Sequence, residues 1–294
     1  MPYQAVRGVD HYYEWITAGD RPQPSGSKPV MVFLHGWAGS GRYWRTTAHA
    51  LTPHFDCLLY DMRGFGRSPL PVPPPADLID DYELDSYADD LAMLLEALGL
   101  SRPVYLNAHS MGASVATLFL NRHGDWVKEA VLTCSGIFDY DKQAFEAFYR
   151  FGGYVVSFRP AWLGQIPLAH RMFMARFLHR SIPSHESQSF LNDFLMADYA
   201  AAMGTIYTSV SKAATEVMPR EFAQLKTRTL LISGQYDQII PADMGQKAAA
   251  LSPHVTQVVI PRTSHFPMLE DAKTYLQVLS AFLELGDRTP ALPV

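Results

Sequence analysis

The stretch "YLNAHSMGAS", residues 105–114, decides the fold because an apolar run in it leads directly into a serine. The run up to Ala108 is typical of a buried strand, and residues 111–123 have the spacing of a helix. Ser110 lies between the two, and Ala108 and Gly112 are the small neighbours that a sharp, strained strand-to-helix turn needs. Two interpretations of Ser110 follow: a nucleophile held at this turn, or an ordinary helix N-cap.

Apolar runs alternate with helical segments on both sides of this turn. Residues 3–17 predict a hairpin, and residues 41–53, 84–99 and 111–123 predict helices. The runs that predict further strands are "VMVFLHG", "FDCLLYD", "PVYLNA", "EAVLTCS", "RTLLISG" and "TQVVIP". Strands that alternate with helices form a mostly parallel sheet with helices on its faces. We therefore predict an α/β fold.

One long stretch, residues 136–226, breaks the alternation. It has few strand signals and many aromatic and methionine residues at helical spacing, as in "WLGQIPLAHRMFMARFLHR". We predict a helical lid, or cap domain, inserted into a core domain formed by residues 1–135 and 227–294. Some of its apolar side chains are expected to bind the core and others to line an apolar pocket. A role for residues 162–180 at a membrane surface is an alternative.

Composition limits the classes of function. The chain has 294 residues, 48% of them hydrophobic, which is typical of a globular protein. A formal charge of −5 and scattered basic residues argue against nucleic-acid binding. No apolar run reaches about 18 residues, so we expect no stable membrane insertion. The N-terminal residues lack a signal-peptide pattern, and Cys57 and Cys134 are expected to be reduced core residues, so a cytoplasmic location is expected.

Polar residues follow the predicted strands, at the carboxyl ends where parallel sheets bind ligands. These residues are His35, Trp37, Asp61, Arg63, His109, Ser110, Asp237 and His265. A serine, an acid and a histidine occur among them in that chain order. This order and placement indicate nucleophilic catalysis rather than a helix cap.

Each member of the set has a chemical reason to be there. A serine hydroxyl is a weak nucleophile until a base takes its proton, and His265 is the candidate base for Ser110. Asp237 is expected to hold the imidazole tautomer and to stabilise the imidazolium. The backbone N–H of Met111, at a helix N-terminus, and that of Trp37 are the candidate oxyanion donors.

These motifs resemble those of α/β-hydrolase-fold enzymes. The matching segments are "HGW" at 35–37, "DMRGFGRS" at 61–68, "AHSMGA" at 108–113, "GQYDQIIP" at 234–241 and "SHFPMLE" at 264–270. The resemblance implies a core sheet of about eight strands, only one of them antiparallel, with a lid at the insertion. The family turn usually begins with Gly, and Ala108 adds only a methyl group there. Similar haloalkane dehalogenases and epoxide hydrolases need a carboxylate in place of Ser110, so their reactions are excluded.

Further side chains are candidates for other roles. The candidate substrate-pocket residues are His35, His109, Trp162, Phe173, Phe177 and Phe266. Asp139 is the alternative to Asp237 as the triad acid, and an ion pair involving Asp61 and Arg63 is expected to fix their loop. The histidines show no metal-ligand spacing, so neither a metal nor a cofactor is expected.

The predicted function is hydrolysis of a carboxylic ester or thioester with an apolar acyl or aromatic part, through an acyl-enzyme. The same triad also serves carbon–carbon bond hydrolases, acyltransferases and perhydrolases, because function depends on the pocket. A carbon–carbon hydrolase acting on a diketone needs cationic groups pointing inward, for which Arg159, Arg171 and Arg176 are candidates. A small-molecule receptor with slow turnover is the alternative outside catalysis. The expected partner is a small-molecule substrate, and the expected assembly a monomer or homodimer.

Overall fold

Eight strands form one sheet in the computed structural model, which describes residues 2–19, 21–100 and 103–286. The strands are β1 (Tyr3–Val6), β2 (Val9–Ile16), β3 (Val30–Leu34), β4 (Asp56–Tyr60), β5 (Val104–His109), β6 (Val127–Thr133), β7 (Arg228–Gly234) and β8 (Val255–Ile260). Their order across the sheet is β1-β2-β4-β3-β5-β6-β7-β8. Only β2 runs antiparallel to its neighbours. The predicted α/β sheet is confirmed, and residues 287–294 of the predicted core lie outside the described residues.

Helices follow most of the parallel strands, as crossover connections require. Their bounds are α1 (Arg45–Leu51), α2 (Leu84–Ala97), α3 (Met111–Arg122), α4 (Lys142–Ser157), α5 (Ala169–Met174), α6 (Ser184–Met196), α7 (Tyr199–Ser209), α8 (Lys212–Gln224), α9 (Ala242–Ala249), α10 (Pro267–Glu270) and α11 (Ala272–Phe282). None of the helices in the described ranges combines the length and the apolar character needed to cross a bilayer.

The sheet is buried on both faces, which explains why its strands read as continuous apolar runs. In β3, Val32 and Leu34 belong to the hydrophobic cluster that contains α2 and α3. Met31 and Phe33 belong to the opposite cluster, with α1 and α11. Both cysteines are buried and form no disulfide. The core is therefore a helix–sheet–helix sandwich that presents the carboxyl ends of its parallel strands at one edge.

Five of these helices, α4 to α8, lie between β6 and β7. We call residues 136–226 the cap segment. Polar contacts tie it to the loop after β3: the Asp193 carboxylate of α6 accepts hydrogen bonds from Ser40 Oγ and Arg42, both at 2.5 Å. The Trp37 indole donates to the Ala202 carbonyl of α7 at 2.9 Å. The cap segment is thus attached next to the end of β3, on the side where polar residues were predicted to gather.

Candidate active site

Ser110 lies at the turn between β5 and α3, with φ +52° and ψ −122°. A positive φ is unfavourable for a residue with a side chain and occurs where the surroundings hold the backbone in place. The Ser110 amide donates to the Thr133 carbonyl of the neighbouring strand at 2.9 Å. A Cβ on Gly112 would lie 2.3 Å from the His35 carbonyl oxygen, so only glycine fits there. The Ser110 side chain makes no capping hydrogen bond to α3, which argues against the N-cap interpretation.

The loops after β7 and β8 bring an acid and a histidine to this serine. His265 Nε2 lies 3.1 Å from Ser110 Oγ, and His265 Nδ1 lies 2.8 Å from Asp237 Oδ2. The other carboxylate oxygen of Asp237 accepts the backbone N–H groups of Ile239 at 2.8 Å and Ile240 at 3.1 Å. Because Asp237 accepts at Nδ1, His265 carries its proton there and offers a lone pair to the serine hydroxyl.

The charge of Asp237 is stabilised in a buried position. Burial by itself would raise the pKa of this carboxyl group. His265 and the two backbone N–H groups outweigh burial, and the pKa of Asp237 is lowered below its ordinary value. Asp237 is therefore an anion at neutral pH, directed at the imidazole.

His109, one residue before Ser110, is buried below the site rather than exposed in it. Its Nε2 donates to the His265 carbonyl at 2.8 Å, and its Nδ1 accepts from the Tyr43 hydroxyl at 3.0 Å. The same hydroxyl accepts the Gly36 N–H at 2.5 Å. Burial lowers the pKa of His109 well below its ordinary value, so the ring is neutral and suited to both roles. The loop after β3 is thereby connected to the backbone of His265.

The candidate oxyanion donors flank the serine. Met111 is the first residue of α3, and Trp37 follows Gly36 in the loop after β3. A Cβ on Gly36 would lie 3.1 Å from the Ser110 Cβ, so this loop passes directly against the serine turn. Within the described ranges, neither the Met111 nor the Trp37 amide has a hydrogen-bond acceptor in the protein. Two unpaired N–H groups beside a serine hydroxyl are what an oxyanion needs.

His35 is also a neutral structural histidine. Its Nε2 accepts the Met62 N–H at 2.9 Å, and its Nδ1 donates to the Gly36 carbonyl at 2.8 Å. Burial lowers the pKa of His35. Both ring nitrogens are therefore occupied by loop backbone, which leaves none for a substrate.

Aromatic side chains pack around His265. The ring centroids of Phe177 and Phe266 lie 6.2 and 5.6 Å from that of His265, and the Phe177 carbonyl accepts the His265 N–H at 3.0 Å. Phe173 packs on Phe194, with centroids 4.7 Å apart. Two members of this cluster, Phe190 and Phe194, were missed by sequence reasoning, because helix α6 has no motif that distinguishes them from ordinary core residues. Tyr43 was also missed, because no motif in its own segment distinguishes it from an ordinary core residue.

Trp162 does not join the aromatic cluster. Its side chain is half exposed, and its ring contacts that of Phe158 at 6.5 Å, on the outside of the cap segment. A surface cleft of about 350 Å³ lies on the same side, lined by Phe158, Arg159, Leu195 and Tyr199 among others, and is separate from the serine turn.

The other candidate charges are placed away from the serine. Asp139 is exposed and pairs with Lys247, so Asp237 is the carboxylate that reaches His265. The prediction that Asp61 and Arg63 pair with each other is wrong. Asp61 binds Arg67 at 2.7 Å, whereas Arg63 binds Asp90, a buried residue of α2. Apolar spacing cannot show which of several nearby charges will pair.

The cap arginines do not converge on the serine either. Arg171 and Arg176 are exposed. Arg159 donates to the carbonyls of Val156, Phe194 and Ala197. Its guanidinium is therefore occupied by backbone.

One group of potential metal ligands lies at the site. The ligand atoms of His109, Cys134 and His265 are within 4.8 Å of one another. The ring nitrogens of both histidines already take part in the hydrogen bonds described above, and burial raises the pKa of the Cys134 thiol well above its ordinary value. These atoms therefore fit the serine–histidine–aspartate arrangement better than a metal centre, which needs deprotonated thiol and free imidazole lone pairs.

Comparison with known proteins identifies the family to which this fold belongs. A family model for the alpha/beta hydrolase fold matches residues 29–272. The chain is 26% identical over 275 residues to RutD of Pseudomonas savastanoi, provisionally named a carbamate hydrolase, with 87% of this chain and 93% of that protein covered. It is 23% identical over 264 residues to a pimeloyl-[acyl-carrier protein] methyl ester esterase of Vibrio cholerae, covering 88% and 96%. An enol-lactonase structure from Burkholderia xenovorans LB400 has a TM-score of 0.76 at 19% identity, over 96% of this chain and 100% of that one.

The matched range contains the serine turn, the loop after β3, and the loops that carry Asp237 and His265. The sheet order, the single antiparallel strand and the serine at a positive-φ turn are the features of the same fold. The chain belongs to the α/β-hydrolase-fold family of enzymes.

Proposed function

We propose that the protein is a serine hydrolase in which Ser110, His265 and Asp237 form the catalytic triad. One observation carries the proposal: the serine hydroxyl, at a strained turn, lies 3.1 Å from an imidazole whose other nitrogen lies 2.8 Å from a buried carboxylate. Nucleophile, base and orienting acid are in hydrogen-bond reach of one another, which is the geometric criterion for this chemistry.

The reaction follows from these contacts. Ser110 Oγ attacks the carbonyl carbon of the substrate as its proton passes to His265 Nε2. The Met111 and Trp37 amides hold the oxyanion, and Asp237 stabilises the imidazolium. His265 then gives its proton to the leaving group as the carbon–leaving-group bond breaks. Water, deprotonated by His265, attacks the acyl-enzyme, and the proton returns to Ser110.

The surroundings favour an ester or thioester with an apolar acyl or aromatic part. The Phe177 and Phe266 rings beside His265, with Phe173 packed on Phe177, offer an apolar, polarisable wall. A diketone substrate would need a cation there, and the three cap arginines named above are exposed or bonded to backbone carbonyls. The names of the Vibrio cholerae esterase and the Burkholderia xenovorans enol-lactonase agree with acyl chemistry.

The test is hydrolysis of p-nitrophenyl esters of graded acyl length by the wild type and by Ser110→Ala. We expect a chain-length optimum in the wild type and a loss of kcat on the order of 10⁴-fold in the variant. Ser280→Ala, a serine of α11 remote from the site, is the matched control and should retain full activity.

Two results would contradict this function. If Ser110→Ala kept most of the activity, the nucleophile would be another group. If a fluorophosphonate left Ser110 unlabelled and a bound small molecule raised the Tm without product, the receptor alternative would replace catalysis. Labelling of Ser110 without ester turnover would instead direct the search to acyl transfer and carbon–carbon cleavage. The cytoplasmic location and the monomer or homodimer state stay predictions.

A further inference from the structure

The outer surface of the cap segment exposes large apolar side chains close together. Phe158, Trp162, Leu168 and Met172 are 70%, 53%, 55% and 80% exposed, within fifteen residues of sequence. Scattered exposed apolar residues are normal on protein surfaces, but a contiguous group marks an interaction site. We call these four residues, with Arg171 and Arg176, the outer cap face.

Local geometry brings these side chains together in two pairs. The Phe158 and Trp162 rings contact each other, with centroids 6.5 Å apart. The Leu168 carbonyl accepts the N–H groups of Arg171 and Met172, so these three residues share one turn of helix. In an α-helix, residues three and four apart lie on the same side. The turns from 160 to 172 are joined by successive backbone hydrogen bonds and pack against α6, so the two pairs lie on one continuous segment of the cap.

The charge of this region is of one sign. Residues 147–185 contain five arginines and no aspartate or glutamate, although the whole chain has 29 acidic against 24 basic residues. Arg180 pairs with Asp271, and Arg159 is bonded to backbone carbonyls. Within the described residues, Arg171 and Arg176 have no carboxylate partner, and the only side-chain bond of either is from Arg171 to Ser184 Oγ at 3.2 Å. Two exposed cations therefore border an exposed apolar strip on an acidic protein.

We propose that the outer cap face docks on the surface of an anionic phospholipid bilayer. Aromatic and aliphatic side chains next to arginines are the composition of segments that lie in the headgroup region, where the rings enter the acyl boundary and the guanidinium groups meet lipid phosphates. The positive charge is complementary to anionic headgroups and is worth a measurable part of the binding free energy. Because the arginines are positively charged, they favour an anionic bilayer rather than an uncharged apolar partner.

A second copy of the chain is a poorer occupant of the same face. A two-fold dimer brings the same patch of each protomer together. Arg171 and Arg176 of both protomers would then lie in one interface, with no acidic residue between 147 and 185 to neutralise them. Like charges placed close together in an interface oppose association.

Residues of the outer cap face alternate along the chain with residues that pack against His265. Met172 and Arg176 are exposed, whereas Phe173 and Phe177, one residue further on, pack into the aromatic cluster at His265. The same short segment therefore has its outer side available to lipid and its inner side against the catalytic base.

Vesicle co-sedimentation tests the proposal without any need for turnover. The protein is mixed with phosphatidylcholine vesicles that contain or lack phosphatidylglycerol. We expect binding to the vesicles with phosphatidylglycerol, and release from them at high salt. The double variant Arg171→Glu/Arg176→Glu should bind at least about 25-fold more weakly, from about a factor of five for each lost arginine. Met172→Gln should bind about fivefold more weakly because it no longer buries an apolar side chain in the bilayer.

Matched controls locate the effect. Met93→Gln removes an exposed methionine from α2 of the core, and Arg220→Glu reverses an exposed arginine on α8. Both should bind vesicles as the wild type does. Hydrolysis of a water-soluble p-nitrophenyl ester, measured on the same preparations, should be unchanged in the outer-cap-face variants, so a failure of docking and a failure of the proposed catalysis give different results.

Three outcomes would overturn the proposal. The first is no binding to phosphatidylglycerol vesicles. The second is equal loss of binding in the outer-cap-face variants and in their controls. The third is a wild-type dimer that the outer-cap-face substitutions convert to monomers while vesicle binding is absent, which would assign the face to a second copy.

Discussion

The serine turn and the cap segment differ in what holds them in place. At the turn, Ser110 is fixed by a backbone bond to β6, by the absence of a side chain at Gly112 and by buried hydrogen bonds to His265. The cap segment is held by aromatic packing, by side-chain contacts of Asp193 and the Trp37 indole, and by the backbone bond between His265 and Phe177. The conformation of Ser110 thus depends on the backbone of its turn, which tolerates little change, whereas the attachment of the cap segment combines side-chain and backbone contacts.

The largest expected effect concerns the acid of the triad. Asp237→Asn should lower kcat by on the order of 10³- to 10⁴-fold, because an amide no longer holds the imidazole tautomer that accepts from Ser110. Asp139→Asn is the control, since this exposed carboxylate pairs with Lys247 instead. Steady-state kinetics of both variants separate the two acids. A larger loss in Asp139→Asn would reverse the assignment.

A pair of glycine substitutions compares the two regions directly. Gly112→Ala places a Cβ 2.3 Å from a backbone oxygen, so we expect a loss of stability of about 2 to 3 kcal/mol and distortion of the serine turn. Gly153→Ala in α4 has its nearest atom at 3.8 Å, a side-chain carbon of Met203, and should gain about 0.5 kcal/mol from lower helix entropy. Urea unfolding measures both. Equal effects would mean that the turn is no more constrained than the cap.

The attachment of the cap segment should depend on pH through Asp193. Burial raises the pKa of Asp193 to about 6, despite its bonds to Ser40 and Arg42. The folded state therefore binds a proton more tightly than the unfolded state, whose carboxyl titrates near the ordinary value. This contribution is fully present at low pH and is lost as the pH rises through about 6, with a magnitude on the order of 3 kcal/mol.

Asp193→Asn removes this titration, so its stability relative to the wild type should increase between pH 4 and pH 6. Free energies of unfolding at several pH values give the slope directly. A constant difference between the two proteins across that range would show that folding does not raise the pKa of Asp193 and that its ion pair with Arg42 compensates for burial.

The smallest expected effect belongs to the buried hydroxyl between Gly36 and His109. Tyr43→Phe leaves an N–H and an imidazole nitrogen without partners, and should lower kcat by about tenfold with little change in KM, because the loop that carries Trp37 loses a support. Tyr60→Phe is the matched control, since Tyr60 also bonds a buried histidine, His11, but far from the site. It should lose similar stability and keep its kcat; equal kinetic losses would reduce Tyr43 to a structural residue.

Local patterns in the sequence were enough to predict the sheet, the serine turn and the residues at the strand ends. Apolar runs and small residues report the burial and strain of their own segment, so the sequence alone places Ser110, Asp237 and His265 at the ends of strands. Contacts between distant segments are not encoded in this way. Tyr43 with His109, Asp61 with Arg67, and Phe190 with Phe266 join parts of the chain whose spacing says nothing about which side chains meet. Trp162 shows the converse, because helical spacing does not tell an inner face from an outer one.

Trp37 connects the proposed oxyanion site to the cap segment. Its amide is the proposed oxyanion donor, and its side chain is bonded to the Ala202 carbonyl of the cap segment. Displacement of α7 would therefore pull on the residue that stabilises the transition state. If the Trp37 amide holds the oxyanion as proposed, a change in the position of α7 would slow the reaction even with Ser110, His265 and Asp237 in place.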